Sequence, residues 1–188
     1  MPSIDVAFLR SLRDDYRRFN VFVETGTYFG ETIFKMEPYF NTLYTIEIKP
    51  EFYYNTKSKY HGNKINFLLG DSSLLLEDVT KNISESAVFF LDGHWSAGNT
   101  GRGSKDCPLY EELQHINNNF KGEAIIVIDD FRLFGKGPKK GDEICDWENI
   151  RKDIVLEILK SRTTDVYHLP SELSATDRLI VHIKNKDM

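Results

Sequence analysis

The chain has 188 residues, with 24 basic against 29 acidic side chains and a formal net charge of −5. Hydrophobic residues make up 40% and aromatic residues 13%, enough for one full-sized core, which excludes wholesale disorder and a collagen-like or low-complexity polymer. No apolar run approaches the roughly 20 residues of a membrane span, the N-terminus is unlike a secretory signal, and Cys107 and Cys145 are too few for a disulfide framework, so the expectation is one cytoplasmic domain over residues 1–188 with reduced thiols.

In chain order, Ser3–Arg18 reads as a leading helix, with Phe8, Leu9 and Leu12 on its apolar side. Residues 1–19 would then cover the sheet or the acceptor site. Strands are expected at Val21–Thr25, Leu43–Ile48, Asn66–Gly70, Ala87–Leu91, Ala124–Ile128, Asp165–Leu169 and Arg178–Lys184. Between them, Glu31–Tyr39, Glu51–Tyr60, Ser73–Lys81, Pro108–Asn119 and Trp147–Ser161 have helical composition or spacing, with Pro50 and Pro108 at helix starts. Phe89-Phe90-Leu91 and Ile125-Ile126-Val127-Ile128 lack polar-out alternation, as central parallel strands covered on both faces do. The alternation predicts a doubly wound α/β domain with a mostly parallel seven-stranded sheet. Only Pro170–Asp177 separates the last two strands, too short a segment for a crossover helix, so they should pair antiparallel at one edge. Two long loops, His94–Cys107 and Arg132–Asp146, are expected to act as lids or substrate loops. The acidic balance disfavours a nucleic-acid partner despite the basic run Lys136–Lys140.

The first strand runs through Glu24-Thr25-Gly26-Thr27 to Gly30 and a helix beginning Glu31-Thr32. Gly26 allows close backbone approach to a ligand and Gly30 allows close helix packing, although any tight strand-to-helix turn carries glycine. Glu47, at the end of the second strand, stands where doubly wound folds hold ribose hydroxyls. Asp71 in Gly70-Asp71-Ser72 either accepts from an adenine amine or caps the next helix. Through these residues and its two-strand ending the chain resembles class I S-adenosylmethionine-dependent methyltransferases, whose Rossmann-like fold the element order matches. The resemblance implies that Glu24 and Gly26 surround the methionine part, Glu47 the ribose and Asp71 the adenine. The whole implied cofactor set is Glu24, Thr25, Gly26, Thr27, Gly30, Thr32, Glu47, Asp71, Ser72 and Asp92. A carboxylate before the first glycine suits a cationic cofactor better than a pyrophosphate.

Asp92 ends the fourth strand and Asp129-Asp130 the fifth, so three carboxylates should converge at one sheet edge. Uncompensated, they would raise one another's pKa, whereas a hard divalent cation, Mg²⁺ or alternatively Mn²⁺ or Ca²⁺, removes that cost. The competing reading is one Asp capping a helix and another pairing with Arg132 or a lysine. The pattern also resembles metal-dependent O-methyltransferases, more their sugar-modifying than their catechol branch, and that resemblance implies Asp92, Asp129 and Asp130 as metal ligands. Such a metal would lower an acceptor hydroxyl's pKa and aim its oxygen at the sulfonium methyl. Asp92 and His94 are the catalytic candidates, His94 serving as base, orienting a metal-bound water, or only filling the site.

Trp95 could stack on a sugar face or on adenine but reads first as packing, and Arg102, Lys105 and Arg132 read as solvated or acceptor-facing. His61, His115, His168 and His182 read as structural, and the sequon Asn82-Ile83-Ser84 as irrelevant without export. The expected activity is methyl transfer to a hydroxyl of a small acceptor, preferably a carbohydrate. With no large substrate domain, the chain is compatible with a module of a larger glycan-building polypeptide. Rivals are a metal-independent methyltransferase, a non-catalytic module on a cofactor fold and a nicotinamide oxidoreductase, the last disfavoured by the first turn.

Overall fold

A computed structural model describes residues 4–139 and 143–186 of the chain. Lys140 and Gly141 of the basic loop and Ser3 of the leading helix lie outside the described residues. The strands are β1 (Val21–Thr25), β2 (Thr42–Glu47), β3 (Ile65–Leu69), β4 (Ala87–Leu91), β5 (Ala124–Ile128), β6 (Thr163–Leu169) and β7 (Arg178–Ile183). They form one seven-stranded sheet in the order β3-β2-β1-β4-β5-β7-β6. Strands β1 to β5 pair parallel, and β7 runs antiparallel to both β5 and β6. This is the expected doubly wound sheet; β6 and β7 pair antiparallel because their short connection permits only an antiparallel return, and it is β7 that lies against β5.

The helices are α1 (Val6–Ser11), α2 (Glu31–Met36), α3 (Pro50–Ser58), α4 (Ser72–Asn82), α5 (Leu109–Asn119) and α6 (Lys152–Leu159). Side chains of the central strands alternate between two apolar layers. Val21, Val23, Phe89, Leu91, Ile126 and Ile128 meet α4, α5 and α6 on one face. Phe22, Val88, Phe90, Ile125 and Val127 meet α1 and α2 on the other. Both faces are dry, which is why these strands read as unbroken apolar runs.

Helices α1, α2 and α6 are shorter than the sequence predicts, α2 giving way after Met36 to a 3₁₀ turn at Glu37–Tyr39. The leading segment is helical only over α1; Asp5 caps it through the Phe8 N–H, and the chain leaves the helix at Leu12. Asp15 then starts a separate single turn at Tyr16–Arg18, its carboxylate accepting from the Arg17 N–H. Ile4, Phe8, Leu9 and Leu12 lie on the sheet, so this segment covers the sheet face. Helix α6 starts at Lys152 instead of Trp147, since Arg151 is extended and Trp147 is buried in an irregular segment against Phe134. Among the described residues no helix is long and apolar enough to cross a membrane.

Candidate functional site

Parallel pairing sets the site. Thr25 lies beside Ile46 on one side and Leu91 on the other, and Leu91 lies beside Ile128. The residues that follow, Gly26, Glu47, Asp92 and Asp129, therefore leave the sheet along one carboxyl edge. Strand order reverses between β1 and β4, where open α/β sheets take ligands. Gly26 has φ +85°, and a Cβ there would collide with the carbonyl of Asp92, so only glycine permits the two strand ends to close. Thr25 is fully buried, and its hydroxyl accepts from the Asp92 N–H at 3.2 Å.

A cleft of about 410 Å³ opens over this switch point. Of the cofactor residues expected from sequence, Glu24, Gly26, Thr27, Thr32, Glu47, Asp71, Ser72 and Asp92 line it. Thr25 lies beneath it, and Gly30 sits outside against Thr56 of α3. Glu24, 1% exposed, accepts from the Thr45 hydroxyl at 2.7 Å, which in turn contacts the Thr27 hydroxyl at 2.6 Å. Burial holds its pKa well above the ordinary range; the Thr45 bond opposes this and the Asp92 and Glu47 charges add to it. Glu47 accepts at 2.8 Å from the Lys49 N–H with one oxygen and at 2.8 Å from the Tyr28 N–H with the other. Burial raises its pKa against those backbone bonds. Asp71 caps α4, accepting from the Ser73 N–H at 2.9 Å and the Ser73 hydroxyl at 2.7 Å.

The cleft also takes residues that sequence reasoning missed. Tyr28 and Phe29 stand at its mouth with Phe52, their ring centroids 4.2 to 5.2 Å apart. Tyr28 holds φ +49°, pinned by Glu47 at its N–H and by the Thr56 hydroxyl, which donates to its carbonyl. Aromatics standing between two glycines of a cofactor turn were the available signal. The loop after β4 crosses to the β2 and β3 ends, bringing Ser96, Thr100, Gly101 and Gly103 to the cleft. It is fastened by Lys49 Nζ donating to the Asn99 carbonyl at 2.6 Å and by the Ser104 N–H reaching Asp71 at 3.4 Å. Trp95 packs on the core with Arg102 4.2 Å over its ring, as packing was expected. Among the histidines read as structural, His115 contacts the Ser73 carbonyl, His182 the Tyr167 hydroxyl, and His168 lies 4.5 Å from the Phe131 ring.

His94 also lines the cleft; its side chain is 6% exposed and packs edge-on against Trp147 at 4.8 Å. Its Nε2 lies 2.8 Å from Asp130 and its Nδ1 3.6 Å from Asp92. Burial pulls its pKa down, but the Asp130 bond and the charges of Asp92, Asp130 and Asp129 outweigh that and leave it raised. Asp130, in the left-handed region at φ +57°, also pairs with Arg132. Burial acts upward on its pKa, and the His94 and Arg132 contacts bring it below the ordinary value. Left-handed backbone in a non-glycine residue persists where surroundings over-determine it, and such residues gather at functional sites.

The three Asp expected to form a metal site do not gather as one cluster. Ligand atoms of Asp92, His94 and Asp130 lie within 4.8 Å of one another, and those of Asp129, Asp130 and Asp177 form a second such group. Asp129, 7% exposed, faces Arg178 at 3.4 Å, and Arg132 bonds Asp177 at 2.7 Å. Burial lifts Asp129 to about 6 against the Arg178 charge. Two carboxylates and an imidazole are a mixed oxygen and nitrogen donor set, which fits a divalent cation and suits Mn²⁺ better than Mg²⁺.

No protein-family model matches the chain, and no curated protein matches it. Solved structures do. The O-methyltransferase TomG from Streptomyces achromogenes, involved in tomaymycin synthesis and solved with S-adenosylmethionine, aligns at TM-score 0.61 and 16% identity, covering 90% of this chain and 75% of that one. The N-methyltransferase NodS from Bradyrhizobium japonicum aligns at TM-score 0.56 and 11% identity over 90% and 87%. A putative methyltransferase from Streptococcus mutans, solved with S-adenosylhomocysteine, aligns at 0.53 and 16% over 89% of both chains. The chain thus carries the Rossmann-like fold of class I S-adenosylmethionine-dependent methyltransferases, with its cleft at that sheet's switch point.

Proposed function

We propose that the protein is an S-adenosylmethionine-dependent O-methyltransferase that methylates a hydroxyl of a small acceptor, preferably a carbohydrate, with a divalent cation at Asp92, His94 and Asp130. One observation carries this reading: the lining of an acid-walled cleft at the β1/β4 switch point includes the buried His94, held between Asp92 and Asp130. Acidic walls suit a sulfonium, because opposite charge in a partly dry cleft interacts more strongly than in water. Glu47 is fixed by two backbone N–H groups and would hold the ribose hydroxyls; Glu24, Gly26 and Thr27 would surround the methionine part. The acceptor oxygen would attack the methyl carbon as the carbon–sulfur bond breaks; with His94 ligating the cation the hydroxyl proton would leave to solvent, and in a metal-free site it would pass to a neutral His94 oriented by Asp130. A bound cation would supply Lewis-acid lowering of the acceptor hydroxyl's pKa. A metal-independent transferase is the second reading, favoured by Arg132 and Arg178, which already pair with Asp130 and Asp129.

Calorimetric titration with S-adenosylhomocysteine, with added Mn²⁺ or Mg²⁺ and again after chelation, tests the first step. Binding in both conditions, followed by chelator-sensitive methylation of sugars, is the expected result. Chelator-insensitive transfer would select the second reading, and no binding at all would return the first turn to a packing role.

A further inference from the structure

Helix α5 buries Leu109, Leu113 and Ile116 in the core, an apolar stripe at helical spacing. Glu112 lies on the same stripe, 1% exposed, where a leucine would complete the pattern. Its Oε1 has no hydrogen-bond partner among the described residues, and leaving a buried carboxyl oxygen unpaired costs stability. A helix dipole favours acid in a first turn, but exposed acid serves that purpose equally and Glu111 already stands beside it, so the dipole does not explain the burial. A local rule broken without a folding benefit points to function.

The surroundings supply one. The hydroxyls of Ser72 and Thr25 lie beside the Glu112 carboxyl and partly offset its burial. Those two residues also meet under the turn after β4: a Cβ on Gly93 would stand 2.9 Å from the Thr25 side chain and 3.1 Å from Ser72 Oγ. Thr25 additionally receives the Asp92 N–H. One turn further along α5, His115 reaches the Ser73 carbonyl at 2.8 Å, so the helix grips the start of α4 at two points. We infer that Glu112 is a positioning residue which, through Thr25 and Ser72, locks together the β1, β3 and β4 ends that form the cleft and so presets the cofactor site and the Asp92-Gly93-His94 turn. This inference rests on the methyltransferase reading for its ligand. Glu112 touches no reacting atom; it acts through the groups above it.

The test compares S-adenosylhomocysteine affinity and thermal unfolding in the full chain, Glu112→Leu and Glu112→Gln. Expected are a Glu112→Leu protein that unfolds at or above the wild-type midpoint yet binds at least tenfold more weakly, and a Glu112→Gln protein within about threefold of wild type, because the amide keeps the hydroxyl contacts. Undiminished affinity in a folded Glu112→Leu overturns the inference alone, as does an equal loss in Glu112→Gln. Failure of the wild type to bind overturns the methyltransferase reading and the inference with it. Should Glu112→Leu not fold, Glu112→Ala and Ser72→Ala, singly and together, carry the test: non-additive affinity losses support the shared contact and additive losses overturn it.

Discussion

The carboxyls at the sheet edge differ in what surrounds them more than in their distance from one another. Asp130 has His94 and Arg132 as partners and ionises readily, whereas Asp129 and Glu112 are lifted by burial, to about 6 and about 7. For both raised groups the folded state holds its proton at a pH where the unfolded chain has lost it. Their contribution is therefore fully present below about pH 4, the ordinary carboxyl range, and is lost as pH rises through about 6 to 7. Stability to urea should accordingly fall between about pH 4 and pH 7, by on the order of 3 kcal/mol from Glu112 alone. Glu112→Gln should flatten that slope, and an unaltered slope in urea titrations at a series of pH values would assign it to other groups. Sequence made Glu24, Glu47, Asp71, Asp92, Asp129 and Asp130 legible because strand ends announce themselves by apolar runs. It did not distinguish Glu112 from any first-turn acid, since burial on α5 depends on which helix face the sheet selects.

Among the elements, α5 depends on a cation at its far end. Arg162, 3% exposed just before β6, donates to the carbonyls of Ile116, Phe120, Gly122 and Lys184. It thereby satisfies groups that a helix C-terminus leaves unpaired and ties α5 to the end of β7. Arg162→Ala should destabilise the fold by about 3 kcal/mol, lowering the unfolding midpoint by about 6–12 °C. Affinity for S-adenosylhomocysteine should stay unchanged below that transition, since the contact lies at the opposite sheet edge from the cleft. Calorimetric scans with and without ligand measure both, and a loss of affinity without a loss of stability would contradict this division. At this scale β1, β4 and β5 were legible to the residue, β4 and β5 because fully buried strands bear unbroken apolar runs and β1 because Val21-Phe22-Val23 leads straight into the Gly26 turn. The leading helix was not, because Asp15 captures the Arg17 N–H and starts a second turn, a side-chain competition that apolar spacing does not register.

For the whole molecule, a ligand that binds only the folded sheet edge stabilises all of it by mass action. S-adenosylhomocysteine at about 100 times its dissociation constant should add about 2.7 kcal/mol and raise the unfolding midpoint by several degrees, whereas NAD should leave it unchanged. A shift with NAD alone would favour the oxidoreductase reading. The sequence by itself determined the alternation of strand and helix, the antiparallel ending and the carboxylates at each strand end, because these follow from local apolar runs and short connections. Tertiary structure alone decided which acids meet: His94 stands between Asp92 and Asp130, while Asp129 turns to Arg178 and Asp177, a residue 48 positions away in sequence by number. It also decided that the loop after β4 crosses to Lys49 and Asp71 and that aromatic rings border the cleft. These contacts join distant segments, and only the packing of helices on both sheet faces fixes which side chains come within reach.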